Sequence, residues 1–307
     1  MKKVGLGFVM TLVTAAAFTQ EEADPIVIEN TLLWKISGKK ITKPSYLFGT
    51  IHMLCKEDAI LSDSLNYIIE NTDDVYFEVD MDNIFEMLGM MKQMKMRNDT
   101  TLADLLSAAD YEKVKNYFEK KRLLLPFSMM ETYKPFLAAS MLMEGSNHCE
   151  SSVAMEQVIM TEAKKKKKKI KGLETMASQL AIFDQIPYKL QADQLLDYIN
   201  KELDGLAEES SDELAELMAA WQSQDLKKLE EITLRTDIGI ANFTDILLFN
   251  RNQKWVEKLD SLLSGRSMLV AVGAGHLPGK KGVIQLLRDA GYTVTPVQNK
   301  MLRTKEI

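Results

Sequence analysis

The sequence predicts an α/β (α+β) fold: one mixed sheet assembled from N- and C-terminal segments around a large helical insertion at about residues 81–265. Strand-like apolar runs stand in the first quarter and the last seventh of the 307 residues. Apolar residues spaced at threes and fours fill the stretch between, and no fixed-period repeat or Pro/Ser-rich linker divides the chain. These observations predict a single domain over residues 20–307, long enough to bury a substantial core.

Residues 1–19 read differently. Met1-Lys2-Lys3 precedes an unbroken run of apolar and small residues to Phe18, and Glu21, Glu22 and Asp24 follow. A basic end, a short apolar centre and Ala15-Ala16-Ala17 near its close predict a secretory signal peptide, hence a periplasmic or secreted protein; an uncleaved anchor is the alternative. Its removal takes away Lys2 and Lys3 and no acid, moving the formal net charge from −6 to about −8. That acidic balance disfavours nucleic acid as a partner, and no second apolar run predicts a transmembrane domain in the mature chain.

Residues 32–38 ("LLWKISG") and 45–50 ("SYLFGT") are predicted strands joined in a hairpin. Ser62 opens a helix with Leu65, Ile68 and Ile69 on one face, and residues 75–79 ("VYFEV") resume strand character. The methionine-rich helical stretch from 81 to about 169 places Ile84, Met87, Leu88 and Met91 at helical spacing, read as core packing, with a flexible binding groove as the alternative. The lysine run at 164–169 reads as a solvated face, the alternative being contact with an anionic surface. A short strand at 170–173 follows, then helices at 179–203, 212–221, 226–234 and 238–263. The chain closes as strand, loop, helix, strand.

Of three histidines, His52 and His276 share a setting: "SYLFGTIH" and "MLVAVGAGH" each end a strand-like run in Gly-x-x-His, with Gly49 and Gly273 three places ahead. With 15 glycines in 307 residues, two such matches among three histidines arise by accident at below about 1 %. A glycine there allows a sharp turn of unusual φ and close backbone approach, presenting the imidazole at the carboxyl edge of the sheet, where open α/β sheets bind ligands. Glu78 lies inside a strand-like run where a lone carboxylate is costly to bury, with Asp80 two residues on. Two imidazoles and a carboxylate suit a divalent metal that activates water. The bland alternative for each residue alone is a structural hydrogen bond. His148 in "GSNHCE" lacks the setting and is read as a loop residue. Gly-x-Ser-x-Gly and His-Glu-x-x-His are absent, which disfavours a serine hydrolase or a zincin. Cys55 and Cys149 allow one disulfide in an oxidising compartment, two unrelated thiols being the alternative.

These motifs, with "GLETMASQLAIFDQIP" from Gly172, "RNQKW" from Arg251 and the closing "GHLPGKKGVIQLLRDAGYTVTPV", resemble the TraB/GumN family, which is similar in turn to the Tiki metalloproteases. The resemblance implies a metal-dependent site of His52, Glu78 and His276, with Arg251 as a further catalytic group. It implies Asn252, Glu174 and Gln179 as polar groups on the substrate side or supporting the site. Where relatives carry a Gly-x-Asp-like stretch, this chain has "CESSVAMEQ" from Cys149. A Cys55–Cys149 bond would tether that helix start to the loop after His52. Two functions follow as expectations. One is an exported metal-dependent peptidase or hydrolase using manganese, cobalt or zinc on a peptide or small-molecule substrate, with a homodimer left open. The other is a non-catalytic protein that sequesters a peptide or ligand in the same pocket.

Overall fold

The computed structural model describes residues 30–301, apart from 40, 53, 122, 124, 145–150, 206 and 236–242. The expected signal peptide, His148 and Cys149 lie outside the described residues. The strands are β1 (Leu33–Ser37), β2 (Ser45–Thr50), β3 (Leu54–Cys55), β4 (Asp74–Val79), β5 (Ser152–Val153), β6 (Lys169–Glu174), β7 (Met268–Gly273) and β8 (Thr293–Pro296). The helices are α1 (Asp63–Asn71), α2 (Ile84–Gln93), α3 (Leu102–Leu105), α4 (Ala108–Lys121), α5 (Phe127–Met130), α6 (Pro135–Glu144), α7 (Met155–Lys165), α8 (Met176–Ile182), α9 (Tyr188–Leu203), α10 (Ala207–Gln222), α11 (Leu226–Arg235), α12 (Asn250–Leu262) and α13 (Val283–Asp289). No helix among the described residues is long and apolar enough to cross a membrane.

Six strands form one mixed sheet in the order β6-β4-β7-β2-β1-β8, so both ends of the chain do complete a common sheet. β6, β4, β7 and β2 run parallel, and β1 pairs antiparallel with β2 and β8. The central β7 is a continuous apolar run, Met268–Val272 all buried, because helices cover both faces of a parallel sheet and leave no solvent side to alternate toward. The insertion is not purely helical: β6 returns from within it to form a sheet edge, and β3 and β5 make a separate two-stranded ladder. A second cluster, including Leu102, Val114, Phe118, Met130, Leu142, Leu195 and Ile199, gives α3–α6 and α9 a core of their own.

The methionine stripe departs from expectation. α2 has no buried residue, and Ile84, Met87, Leu88 and Met91 are exposed, as is Phe85. The helix rests chiefly on α8, where Glu86 accepts a hydrogen bond from the Met176 N–H, so its apolar positions face away from its one substantial support. The lysine run is used locally: Lys164 pairs with Asp82, Lys166 with Glu70, and Lys168 donates to the carbonyls of Glu70 and Thr72, pinning the end of α7 to α1.

The motif glycines have ordinary φ values: neither Gly49 nor Gly273 is among the positive-φ residues, so the expected unusual turn is corrected. Close approach is what requires them. A Cβ on Gly49 would lie 2.4 Å from Leu277 Cδ1 and 3.1 Å from Ala274 Cβ, so the first motif makes room for the chain of the second. Trp221 Nε1 donates to the Gly49 carbonyl across the same contact. Leu277 is fully buried and has nowhere to go. Gly49→Ala is therefore expected to lower unfolding free energy by about 1–3 kcal/mol, measured by urea denaturation.

Candidate functional site

Parallel strands bring four chain positions to one carboxyl edge. β6 ends in Glu174, β4 carries Glu78 beside its last residue, β7 ends in Gly273 and β2 in Thr50. Register sets Thr50 opposite Gly273 and Val79 opposite Glu174. His276 follows β7 in a 3₁₀ turn and His52 follows β2, so the two Gly-x-x-His motifs leave adjacent strands.

His276 is buried. Its Nδ1 lies 2.6 Å from Asn252 Oδ1, and its ring packs against Trp255 at a 41° tilt with centroids 4.5 Å apart. The Asn252 amide nitrogen donates to the carbonyls of His276 and Lys281, which fixes its oxygen as the acceptor and so places the imidazole proton on Nδ1. Nε2 then holds the lone pair, with Arg251 Nη1 at 3.2 Å and Glu78 Oε1 at 3.7 Å. Burial lowers the His276 pKa to about 4, with Arg251 and His52 adding to the fall and Glu78 opposing it; the ring is neutral at pH 7.

Glu78 Oε1 accepts the Gly273 N–H at 2.9 Å, and Oε2 accepts Gln179 Nε2 at 2.9 Å and Arg251 Nη2 at 2.5 Å. Gly273 also leaves room here: a Cβ would stand 3.2 Å from that carboxylate, which would have to shift slightly. Burial pushes the Glu78 carboxyl up, but His276, the Arg251 guanidinium and the Gly273 N–H outweigh it and hold the group at about 2. Glu174 receives Arg251 Nε and Nη2, yet burial raises its pKa, Arg251 opposing and Glu78 reinforcing the rise. Arg251 Nη1 also donates to the Leu247 carbonyl in the π-helical turn Asp245–Phe249 that leads into α12, and the guanidinium lies 4.7 Å over Trp255. All five guanidinium N–H groups are thereby engaged.

His52 stands apart. Its side chain is 72 % exposed and its Nδ1 lies 3.2 Å from Glu156 Oε1. Among the described residues no three His, Cys, Asp or Glu side chains form a group that could hold a metal ion. The structure thus joins Glu78, His276, Arg251, Glu174 and Gln179 in one network, sets Asn252, fully buried, behind His276, and leaves His52 exposed beside Glu156. Asp80 instead accepts the Asp82 N–H in the turn after β4. Sequence reasoning missed Glu156 and Trp255. The signal for Glu156 was helical phase: it shares the buried side of α7 with Met155, Ile159, Met160 and Ala163, an odd place for a carboxylate.

A mixed sheet with paired Gly-x-x-His motifs and a strand glutamate at its carboxyl edge defines a class, and comparison with known proteins agrees. The TraB/PrgY/gumN family model matches residues 32–296, and the chain belongs to that family. It is 21 % identical to metalloprotease TIKI2 of Danio rerio over 90 % of this chain and 63 % of that protein. It is 22 % identical to metalloprotease TIKI1 of Homo sapiens over 86 % of this chain and 61 % of that protein. The chain thus spans less than two thirds of the length of these relatives. No solved structure matches it.

The folded protein protonates His276 near pH 4 and the unfolded chain near 6.5, so unfolding takes up a proton between those values and stability rises with pH across them. Glu78 acts in the same sense lower down: its contribution is present above about 4.5 and is lost as pH falls toward about 2. In urea unfolding with EDTA, stability is expected to climb by on the order of 1 kcal/mol per pH unit between 4 and 6.5. His276→Asn should flatten that climb.

Proposed function

We propose that the protein is an exported, metal-dependent peptidase or related hydrolase. The observation that carries this reading is the neutral His276 Nε2 standing 3.7 Å from an ionised Glu78 oxygen at the sheet edge. Two donors sharing one ion at about 2.1 Å in tetrahedral geometry stand about 3.4 Å apart, close to this separation. The His276–Glu78 pair therefore suits a divalent ion such as zinc, manganese or cobalt, with His52, which the structure does not bring into that group, as the third ligand of the proposal. Support also comes from relatives named as metalloproteases.

When bound, such an ion makes water nucleophilic at neutral pH. Asn252 keeps the His276 proton on Nδ1, so the lone pair lies on Nε2, where it faces Arg251 Nη1 in this structure and would have to turn from it to a bound ion. Gln179, Gly273 and Arg251 fix the Glu78 carboxylate in orientation and charge. Arg251 contributes positive charge toward a developing oxyanion, from a guanidinium already holding Glu78 and Glu174. Export through residues 1–19 and a Cys55–Cys149 bond belong to the same proposal.

The sequestering reading draws on one observation, that no three-donor group is preassembled among the described residues. It expects uptake of ligand without bond cleavage. A peptide-library assay with and without chelator separates the two: the hydrolase reading expects chelator-sensitive products, and His276→Ala and Glu78→Ala to lower turnover at least about a hundredfold. Metal retained with no peptide cut would remove the hydrolase reading.

A further inference from the structure

Glu156 is a buried acidic side chain beside His52, and nothing in the proposed chemistry yet uses it. Its side chain is 6 % exposed, in the first turn of α7. Thr50 Oγ1 donates to Oε1 at 2.6 Å, and the same oxygen lies 3.2 Å from His52 Nδ1. Oε2 is buried with no hydrogen-bond partner among the described residues. A buried carboxylate with one oxygen unpaired costs stability, so folding alone does not account for it.

We propose that Glu156 is a positioning residue that fixes the tautomer and direction of His52. A carboxylate oxygen accepts and does not donate, so a hydrogen bond to it requires the proton on His52 Nδ1, leaving the lone pair on Nε2. An exposed imidazole without such a partner exchanges tautomers and rotates. Thr50 aims the carboxylate from the end of β2, two residues before His52, while the β3–β5 ladder, pairing Leu54 with Val153 and Cys55 with Ser152, holds α7 beside the loop. The arrangement parallels that of Asn252 and His276: each ring has an oxygen close to Nδ1, at 2.6 Å for His276 and 3.2 Å for His52, and a proton on Nδ1 in both would make Nε2 the basic nitrogen of each. A carboxylate behind a ligating histidine raises its donor strength as well as orienting it. The consequence for metal binding rests on the proposed function; the tautomer does not.

The full chain contains only three histidines, so its imidazole nitrogens are resolvable in a long-range proton–nitrogen spectrum of the ¹⁵N-labelled protein in EDTA, with His52→Gln assigning the ring. Neutral His52 is expected to carry its proton on Nδ1 in the wild type and in Glu156→Gln, whose amide oxygen still accepts. In Glu156→Met, which fills the space without an acceptor, the proton is expected on Nε2. Titration with zinc chloride should show affinity about 10–100-fold weaker in Glu156→Met than in wild type. An Nε2–H tautomer in the wild type, or one tautomer common to all three proteins, overturns the proposal, and the wild-type spectrum decides even if the methionine variant does not fold. Wild-type protein that shows the expected tautomers yet takes up no zinc supports the Glu156 assignment and counts against the metal-dependent reading instead.

Discussion

The Arg251 guanidinium is the constraint on which the site depends. Neighbouring strands β6 and β4 carry Glu174 and Glu78 to the same edge, and two buried carboxylates that close repel each other unless a cation stands between them. Arg251 reaches in from α12, bonds both, and lies over Trp255. Its remaining donors hold the carbonyl of Leu247 and approach His276, so one side chain joins a helix, two strands and the second histidine. Loss of this cation would leave an uncompensated buried charge, the costliest way to break such a network. Two carboxyl groups, Glu78 and Glu174, share this one guanidinium, and His276 beside it is neutral.

Much of this was legible in the sequence because strand ends are legible. An apolar run stopped by glycine and then histidine can be read without coordinates, and two such runs, with Glu78 in a third strand, located the sheet edge. The reason for the glycines was only half legible. Gly49 and Gly273 are there to let Leu277, Ala274 and the Glu78 carboxylate come close, and such contacts join residues far apart in the chain. Glu156 was hidden for the same cause: its meaning lies in Thr50 and His52, over a hundred positions away. The apolar spacing of α2 suggested core, but periodicity reports which residues share a face and not what that face meets.

The helical insertion reaches the site through α8. That helix follows Glu174, carries Gln179 onto Glu78, and receives Glu86 of α2 at its first residue. At its far end Lys134, fully buried, donates to the Leu180 carbonyl and pairs with Asp184, which also binds Arg97 and Tyr188. Burial lowers the Lys134 pKa, and Asp184 works against that fall. A buried ammonium with so many fixed partners defines one arrangement more strictly than apolar packing does. Gln179 is held in place from both ends of its helix, so the second core serves the first through a single short element.

The two histidines are held unequally, and the inequality has a direction. His276 is enclosed by Trp255, Asn252 and Arg251, buried and neutral, and its partner behind Nδ1 is an uncharged amide. His52 is exposed, on a loop, and backed by a carboxylate. An exposed ring has more freedom to lose on binding than an enclosed one. The enclosed half of the site thus belongs to the sheet, and the exposed half to the loop after β2.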